Sequence, residues 1–482
     1  LGAETALYSD MAGGDLVSQV GVGQGTNFSD LGEGNTIFVV ASDLEEEAPI
    51  FWLRVKQAAE RGAKLIVANP RYTKTDRHAT HVLRYPYGGE ASLVMAMLNA
   101  LSRKRVELPG EYKDFDRSEE IQSAAKVFSD AENAIILMGN EGIGLKKSRI
   151  LAQACSNLLV ATDHVGKKNN GLIAVWQKAN TQGAWDMGFV PRDDLVESMQ
   201  SKKALYLVAA DPVGDDPGSL VAIKSADFVV VQELYLTETA KNDDVVLPAQ
   251  SFIEREGTLT NAERRVQRYY TAVPPRAQTK PDFSITAEIC ELMSLEMEGR
   301  LSFRVMEQIA AQIPDYEAVS YKTISAVEAQ WPIIGRSDVY YGGTTYDNSQ
   351  GLGQQLHPAA QKGTAVPLKA LDSEDLAAKV EGEILAVPVS ILYDRGQTVL
   401  PTTLLNQRIP EPYIVLHPET TADPGFNDGA KVRIEIESYE VVVTARLDET
   451  IPVGVVLVPR SMGVPVHEPA AIKLSLVQEV VA

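Results

Sequence analysis

The feature that most constrains this chain is an unbroken apolar run, Phe228 to Val231, followed by the polar residues Gln232, Glu233, Thr237, Glu238 and Thr239. A run without alternation reads as a strand buried on both faces, as in a parallel sheet sheathed by helices. A second run, Val245 to Leu247, is stopped by Pro248. Glu256-Gly257-Thr258 follows, with Asn261, Arg264, Arg265 and Gln267 beyond it. Ligands of open α/β sheets sit past the carboxyl ends of the strands, so a site is expected here. Gly257 offers a turn that a Cβ would disfavour, and Thr258 and Asn261 supply hydrogen bonds beside it.

The rest of the chain supplies strands and helices in alternation. Ile37–Ala41 leads through the acids Glu45 to Glu47 and Pro49 into a helix with Phe51, Val55 and Ala58 on one face. Negative charge there suits the positive end of the helix. Gly62 ends that helix and Lys64–Ala68 forms the next strand, a β–α–β unit without the Gly-x-Gly-x-x-Gly of dinucleotide folds. A second unit opens at Ala134–Met138 and turns through Gly139, Gly142 and Gly144 into a helix bearing Leu151, Ala154 and Leu158. That turn reads as a tight connection and has no Gly-Lys-Ser/Thr of a phosphate loop. Gly21-x-Gly-x-Gly25 is either a plain turn or a loop able to approach phosphates. Strand Ala204–Ala209 ends in Asp211-Pro212, and Pro281–Glu298 reads as a closing helix. Residues 164–191 form a long polar and aromatic stretch, of a length that is usually functional inside a compact domain. After residue 380, Val432, Ile434 and Ile436 alternate with charged residues, and Val441, Val443 and Ala445 with polar ones, as in half-buried strands.

Charge narrows the partners. With 45 basic and 65 acidic residues the net charge is −20, which argues against nucleic acid or an anionic membrane surface. No apolar run approaches the roughly 20 residues of a membrane helix, so no direct membrane insertion is expected. The two cysteines, Cys155 and Cys290, read as buried helix positions and are too few for an iron–sulfur cluster. His78 and His81 read as a surface turn, and His417 and His467 as solvated or capping loop residues. The chain opens at Leu1 directly in a fold-like pattern, which reads as a fragment lacking an N-terminal part.

The block Glu238-Thr239-Ala240, then Val246-Leu247-Pro248-Ala249, then Glu256-x-x-x-x-Asn261-x-x-Arg264-Arg265-x-Gln267 resembles the molybdopterin oxidoreductase superfamily. Asn180-x-Gln182-Gly183-x-x-Asp186-x-Gly188 matches a segment that lines the pterin in that superfamily, and Asp211-Pro212 resembles its cofactor-facing turn, with Asp where Asn is common. The resemblance implies an α/β fold: Rossmann-like parallel-sheet domains followed by a C-terminal six-stranded, double-psi type β-barrel. It implies four regions. These are a Rossmann-like domain over 1–130, a second α/β domain over 131–300, a helical segment and Gly/Gln/Tyr-rich arm over 301–379, and the dinucleotide-binding barrel over 380–482. If a pterin is kept, the implied cofactor residues are Asn180, Gln182, Gly183, Asp186, Asp211, Glu238, Thr239 and Asn261. No catalytic residue and no metal ligand is assigned within the chain.

Two details refine this resemblance. The Tyr341-Gly-Gly-Thr arm and Glu46-Glu47-Ala48-Pro49 are similar to the large iron–sulfur subunit of NADH:quinone oxidoreductase (respiratory complex I). The leading expectation is accordingly a scaffold part of that subunit, itself without cofactor. Iron–sulfur clusters would lie on a missing N-terminal part, other peripheral-arm subunits would be the partners, and the location would be the cytoplasmic side of the inner membrane. The alternative is the pterin-dinucleotide portion of a formate-dehydrogenase-like enzyme carrying bis-molybdopterin guanine dinucleotide with molybdenum or tungsten.

Overall fold

The computed structural model describes residues 3–102, 106–110, 112–325, 353–376, 384–396, 398–405, 407–421, 426–436 and 439–477. The first sheet is built from β1 (Asn35–Val40), β2 (Lys64–Ala68), β3 (His81–Leu83), β4 (Asn133–Met138) and β5 (Gly171–Ala174). Its order is β3-β2-β1-β4-β5 and every pairing is parallel. Every residue of β1 is buried, and alternation explains how both faces are served. Phe38 and Val40 enter one core while Ile37 and Val39 enter the other. The helices α1 (Gly14–Val20), α2 (Leu44–Glu47), α3 (Pro49–Glu60), α4 (Glu90–Leu101), α5 (Glu119–Ser129) and α6 (Leu145–Ala161) cover the two faces. Because β4 and β5 pair into the same sheet as β1, a domain boundary at 130/131 would cut this sheet; the strand–helix rhythm runs on past residue 170.

The second sheet is smaller: β6 (Ala204–Val208), β7 (Phe228–Glu233) and β8 (Val245–Pro248), parallel and in sequential order. Here the expectation of a strand buried on both faces fails. Val229 and Val231 point into a core with Ala222 and Ile223 of the helix Leu220–Ser225, whereas Phe228 is 47% exposed. One face is sheathed, and the helix Asp282–Leu292, shorter than the expected 281–298, covers the other only in part, through Gln232 and Asp282.

Gly257 makes no turn. It opens β9 (Gly257–Thr260), which pairs antiparallel with β10 (Arg265–Tyr269), and a Cβ on it would lie 2.4 Å from the Tyr269 hydroxyl across the pair. Glycine is needed there for the neighbouring ring. The strand β11 (Gln354–Gln355) adds to β10, after which Ala359 and Ala360 donate to the Ser18 and Gln19 carbonyls. The described part of the Gly/Gln-rich arm therefore runs across its own first domain. The Tyr341-Gly-Gly-Thr segment lies outside the described residues.

The C-terminal region has β12 (Leu385–Val389), β13 (Tyr413–Leu416), β14 (Lys431–Ile436), β15 (Tyr439–Leu447), β16 (Val455–Pro459), β17 (Ala470–Ala471) and β18 (Lys473–Leu476). β17 pairs with β12 and β18 with β14, the two strands that would otherwise be edges. Only Ile472 separates β17 from β18, so one segment of chain pairs with both edges and brings the seven-stranded sheet close to a closed barrel. Its parallel pairs are β12–β16 and β13–β15.

Candidate functional site

In a doubly wound sheet the ligand crevice opens where the strand order reverses, here between the carboxyl ends of β1 and β4. The chain puts Ser42, Asp43 and Glu47 after β1, and Asn140 and Glu141 after β4. Arg71 spans them: its guanidinium donates to Glu141 at 2.8 and 3.0 Å and to Asp43 at 3.0 Å. Tyr87 donates to Glu141 at 3.2 Å, and Ser42 donates to Glu47. Burial pushes Glu47 up to about 8, Glu90 up to about 7 and Asp43 up to about 6. The acids that sequence reading gave to a helix start lie in the first turn of α2, and each also has a contact of its own. Glu45 pairs with Lys74 at 2.6 Å, Glu46 accepts from the Leu392 amide at 3.0 Å, and the half-buried Glu47 accepts from Ser42.

A second cluster of polar groups forms where the carboxyl ends of β6 and β7 meet the barrel and the start of the chain. Tyr8 engages Asp215, and burial followed by that carboxylate pushes its phenol far up. Asp10 lies 3.5 Å from His467 and 2.7 Å from Arg460. Burial works to raise Asp10 but is outweighed by these two cations, which hold it below the ordinary range, and His467 is raised in turn by its bond to Asp10. The Lys178 ammonium sits 5.9 Å from the Tyr8 ring and acts on Asp10, Asp215 and Glu233 together. Glu233 is 4% exposed; one oxygen accepts from the Leu234 amide and the other, Oε2, has no partner. None of Tyr8, Asp10, Lys178, Asp215, Glu233 and Arg460 was singled out as a site residue by sequence reading, and His467 is an ion-pair partner rather than a solvated loop residue. Glu233 carried a signal as a polar residue ending an apolar run, and Asp215 by its place in the turn that opens with Asp211-Pro212.

The eight residues implied by resemblance separate into several environments. Asp211 Oδ1 accepts from the Thr239 amide at 2.8 Å and its hydroxyl at 2.7 Å, tying the ends of β6 and β7 together beside the second polar cluster. On the short helix α7 (Thr181–Asp186), Gln182 is fully buried and donates to Gly14 O at 3.1 Å and Asp186 at 3.1 Å, while its Oε1 has no partner. Asp186 also accepts from Ser18 at 2.9 Å and Tyr316 at 3.1 Å, and lies 3.5 Å from Arg264. Asn180 accepts from the Thr260 amide at 2.8 Å, and a Cβ on Gly183 would meet its Oδ1 at 2.4 Å. Asn261 shapes the β9–β10 turn by accepting from the Glu263 and Arg265 amides at 3.0 and 2.9 Å. Glu238 is exposed and pairs with Lys241.

The glycine loop near residue 23 is a structural joint, since the Gln24 and Gly25 amides donate to Gln361 and Gln355 at 2.7 and 2.9 Å. His81 contacts Ser123 at 3.0 Å and His78 meets the Trp52 ring edge-to-face; among the described residues no group of three or more His, Cys, Asp or Glu is arranged to hold a metal ion.

Comparison with known proteins agrees with this architecture. Residues 3–292 match the family model described as "Molybdopterin oxidoreductase", and residues 394–472 match "Molydopterin dinucleotide binding domain". The chain is 26% identical to the F420-dependent formate dehydrogenase subunit alpha of Methanocaldococcus jannaschii, over 91% of this chain and 74% of that protein. It is 27% identical to formate dehydrogenase H of Escherichia coli over 70% of this chain and 57% of that one. Acetylene hydratase from Pelobacter acetylenicus shares the fold, with a TM-score of 0.61, 18% identity, and coverage of 93% of this chain and 73% of that chain. These relatives overturn the expected NADH:quinone oxidoreductase scaffold, and with it the expected enzyme class: the proteins matched along nine-tenths of the chain include F420-dependent formate dehydrogenase alpha subunits and an NADPH-Fe(3+) oxidoreductase subunit alpha of Geobacter sulfurreducens. Of the two details behind that expectation, the Tyr341 arm lies outside the described residues and Glu46-Glu47 serves contacts within this fold.

Proposed function

Because the chain belongs to the molybdopterin oxidoreductase family, we propose that it is the dinucleotide-binding portion of a molybdenum or tungsten oxidoreductase of the formate-dehydrogenase kind. The observation that carries this reading is the alignment with formate dehydrogenase alpha subunits over 91% of the chain. The polar cluster at the ends of β6 and β7 suits a nucleoside-bearing group. Glu233 Oε2 is buried without a donor, and the hydroxyls and amino groups of a nucleoside are donors. Asp211 and Thr239 hold the two strand ends at a fixed separation, and Lys178 supplies positive charge beside them. Gln182, with its orphaned Oε1, stands ready to accept one further hydrogen bond from the α7 side. A molybdopterin guanine dinucleotide would bring the redox change at its metal; this chain's residues bind, orient and exclude water.

The test is molybdenum and tungsten content, together with pterin released by acid, on the protein purified from cells that make the cofactor. About one metal ion per chain with pterin is the expected result. A well-folded protein holding neither metal nor pterin would sink the proposal.

A further inference from the structure

We infer, resting on the reading above, that Glu47 stands at the carboxyl ends of β1 and β4 as a neutral carboxylic acid and donates from Oε1 to an acceptor atom of the nucleotide bound there, so that binding depends on its proton. Three observations carry it. First, the crevice keeps buried polar atoms that the chain leaves unmatched. Asn69 and Asn140 are fully buried after β2 and β4, and the side-chain nitrogen of each has no partner. Asp43 Oδ1 and Glu47 Oε1 are buried and unpaired as well. Such atoms are costly unless a ligand meets them.

Second, the two oxygens of Glu47 have different surroundings. Ser42 donates to Oε2, and a Cβ on Gly139 would lie 2.9 Å from that same atom, so the chain itself encloses it. Oε1 meets no donor of the chain. As a bare carboxylate oxygen it would be an acceptor without a donor; as a hydroxyl it is a donor waiting for an acceptor. Third, the nearby positive charges are already committed. Glu47 faces Asp43 after β1, Glu141 after β4 and Arg460 from the barrel. Arg71 bonds to Asp43 and Glu141, Arg460 pairs with Asp10, and the neighbouring Glu46 takes the Leu392 amide. An ionised Glu47 would add one more carboxylate against the negative charge of a nucleotide, whereas a neutral one adds a hydrogen bond. Burial, reinforced by Glu141 and Asp43, keeps its proton up to about 8.

Calorimetric titration of the cofactor-free, full-length protein with GDP tests this. The affinity of the parent is expected to fall about tenfold between pH 7 and pH 9, on either side of the value of about 8. Glu47→Gln offers an amide donor at every pH, and its affinity is expected to stay within about twofold over the same range. Heats for the parent in two buffers of unlike ionisation enthalpy are expected to show about one proton taken up per GDP bound at pH 9. Equal pH dependence in parent and variant, no proton uptake by the parent, or no GDP binding by the parent at pH 7 would each overturn the inference. Pterin content decides the proposed function separately. A pterin-bearing protein without this proton linkage sinks the inference alone, and proton-linked GDP binding by a chain that never carries pterin sinks the proposed function alone.

Discussion

Among the described residues Arg264 is the largest side chain that the fold buries completely, and its charge has to be matched. It donates to Asp315 at 2.6 Å and to the His357 carbonyl at 3.1 Å, with Asp186 at 3.5 Å, and its backbone sits at φ +53 to reach them. Removing one partner of a buried pair leaves the other uncompensated, so Arg264→Ala is expected to destabilise the fold by roughly 3–5 kcal/mol. Asp186→Asn keeps an acceptor for Ser18 and leaves Arg264 its Asp315 partner, so a smaller loss is expected. Chemical denaturation followed by circular dichroism would rank the two, and the reverse order would contradict this account of the network. The sequence pointed to Asp186 and to the Arg264-Arg265 pair as features of one superfamily. It did not show that Asp186 and Arg264 neutralise each other, because Asp315 and Tyr316 come from a segment with no motif. Glu47 permits a pH test. Burial keeps its proton up to about 8, against an ordinary 4.5, so the folded chain holds a proton that the unfolded chain releases. The folded state is therefore progressively penalised as pH rises from about 4.5 to about 8, with Asp43 adding to the lower part of that range and Glu90 extending to about 7. Glu47→Gln is expected to be more stable than the parent at pH 8, on the order of a few kcal/mol, and nearly equal to it at pH 4.5. Urea midpoints across that range would show it, and parallel curves for the two proteins would refute it.

At the scale of elements, the strands were legible where residue type and burial agree. Lys64–Ala68 falls as expected, and the alternation of β14 matches its burial, with Val432, Ile434 and Ile436 inward. Closure of the barrel was not legible, because Ala470–Leu476 is a short broken stretch whose meaning lies in two distant partners, β12 and β14. Nor could the sequence say what each glycine is for. Gly142 has φ +70, and a Cβ there would lie 2.2 Å from the buried Tyr87 ring; Gly429 has φ +85 with nothing within 4 Å. Alanine at Gly429 meets backbone strain alone, about 1–2 kcal/mol. Alanine at Gly142 meets the same strain plus overpacking against a ring that is fixed by Glu141, about 1–3 kcal/mol more. Thermal unfolding of Gly142→Ala and Gly429→Ala is expected to show the first clearly less stable, and equal losses would mean that Tyr87 can move aside.

For the whole molecule, the question is how separately coded parts come to act as one body. The sequence marked the two ends of the chain as distinct regions and gave no sign that they meet. In the structure Asp10, near the start, and Arg460, near the end, pair at 2.7 Å over the carboxyl end of β4, with His467 on the other side of Asp10. Such a junction cannot be read from local pattern, since its members lie 450 residues apart and each looks like an ordinary surface charge. Its consequence is mechanical. Arg460 ties the barrel to the first domain through one carboxylate and two backbone carbonyls, a set of acceptors that suits a guanidinium fork and exceeds what one ammonium can span. Arg460→Ala is expected to cost roughly 3–5 kcal/mol, falling chiefly on the junction, so that calorimetry shows the barrel melting ahead of the sheet domains. Arg460→Lys is expected to restore the Asp10 pair without the carbonyl bonds, and so to recover only part of the coupling. A single transition, shifted as a whole in both variants, would mean that other contacts such as Gly142 to Pro388 hold the barrel in place, and that Arg460 serves charge balance alone.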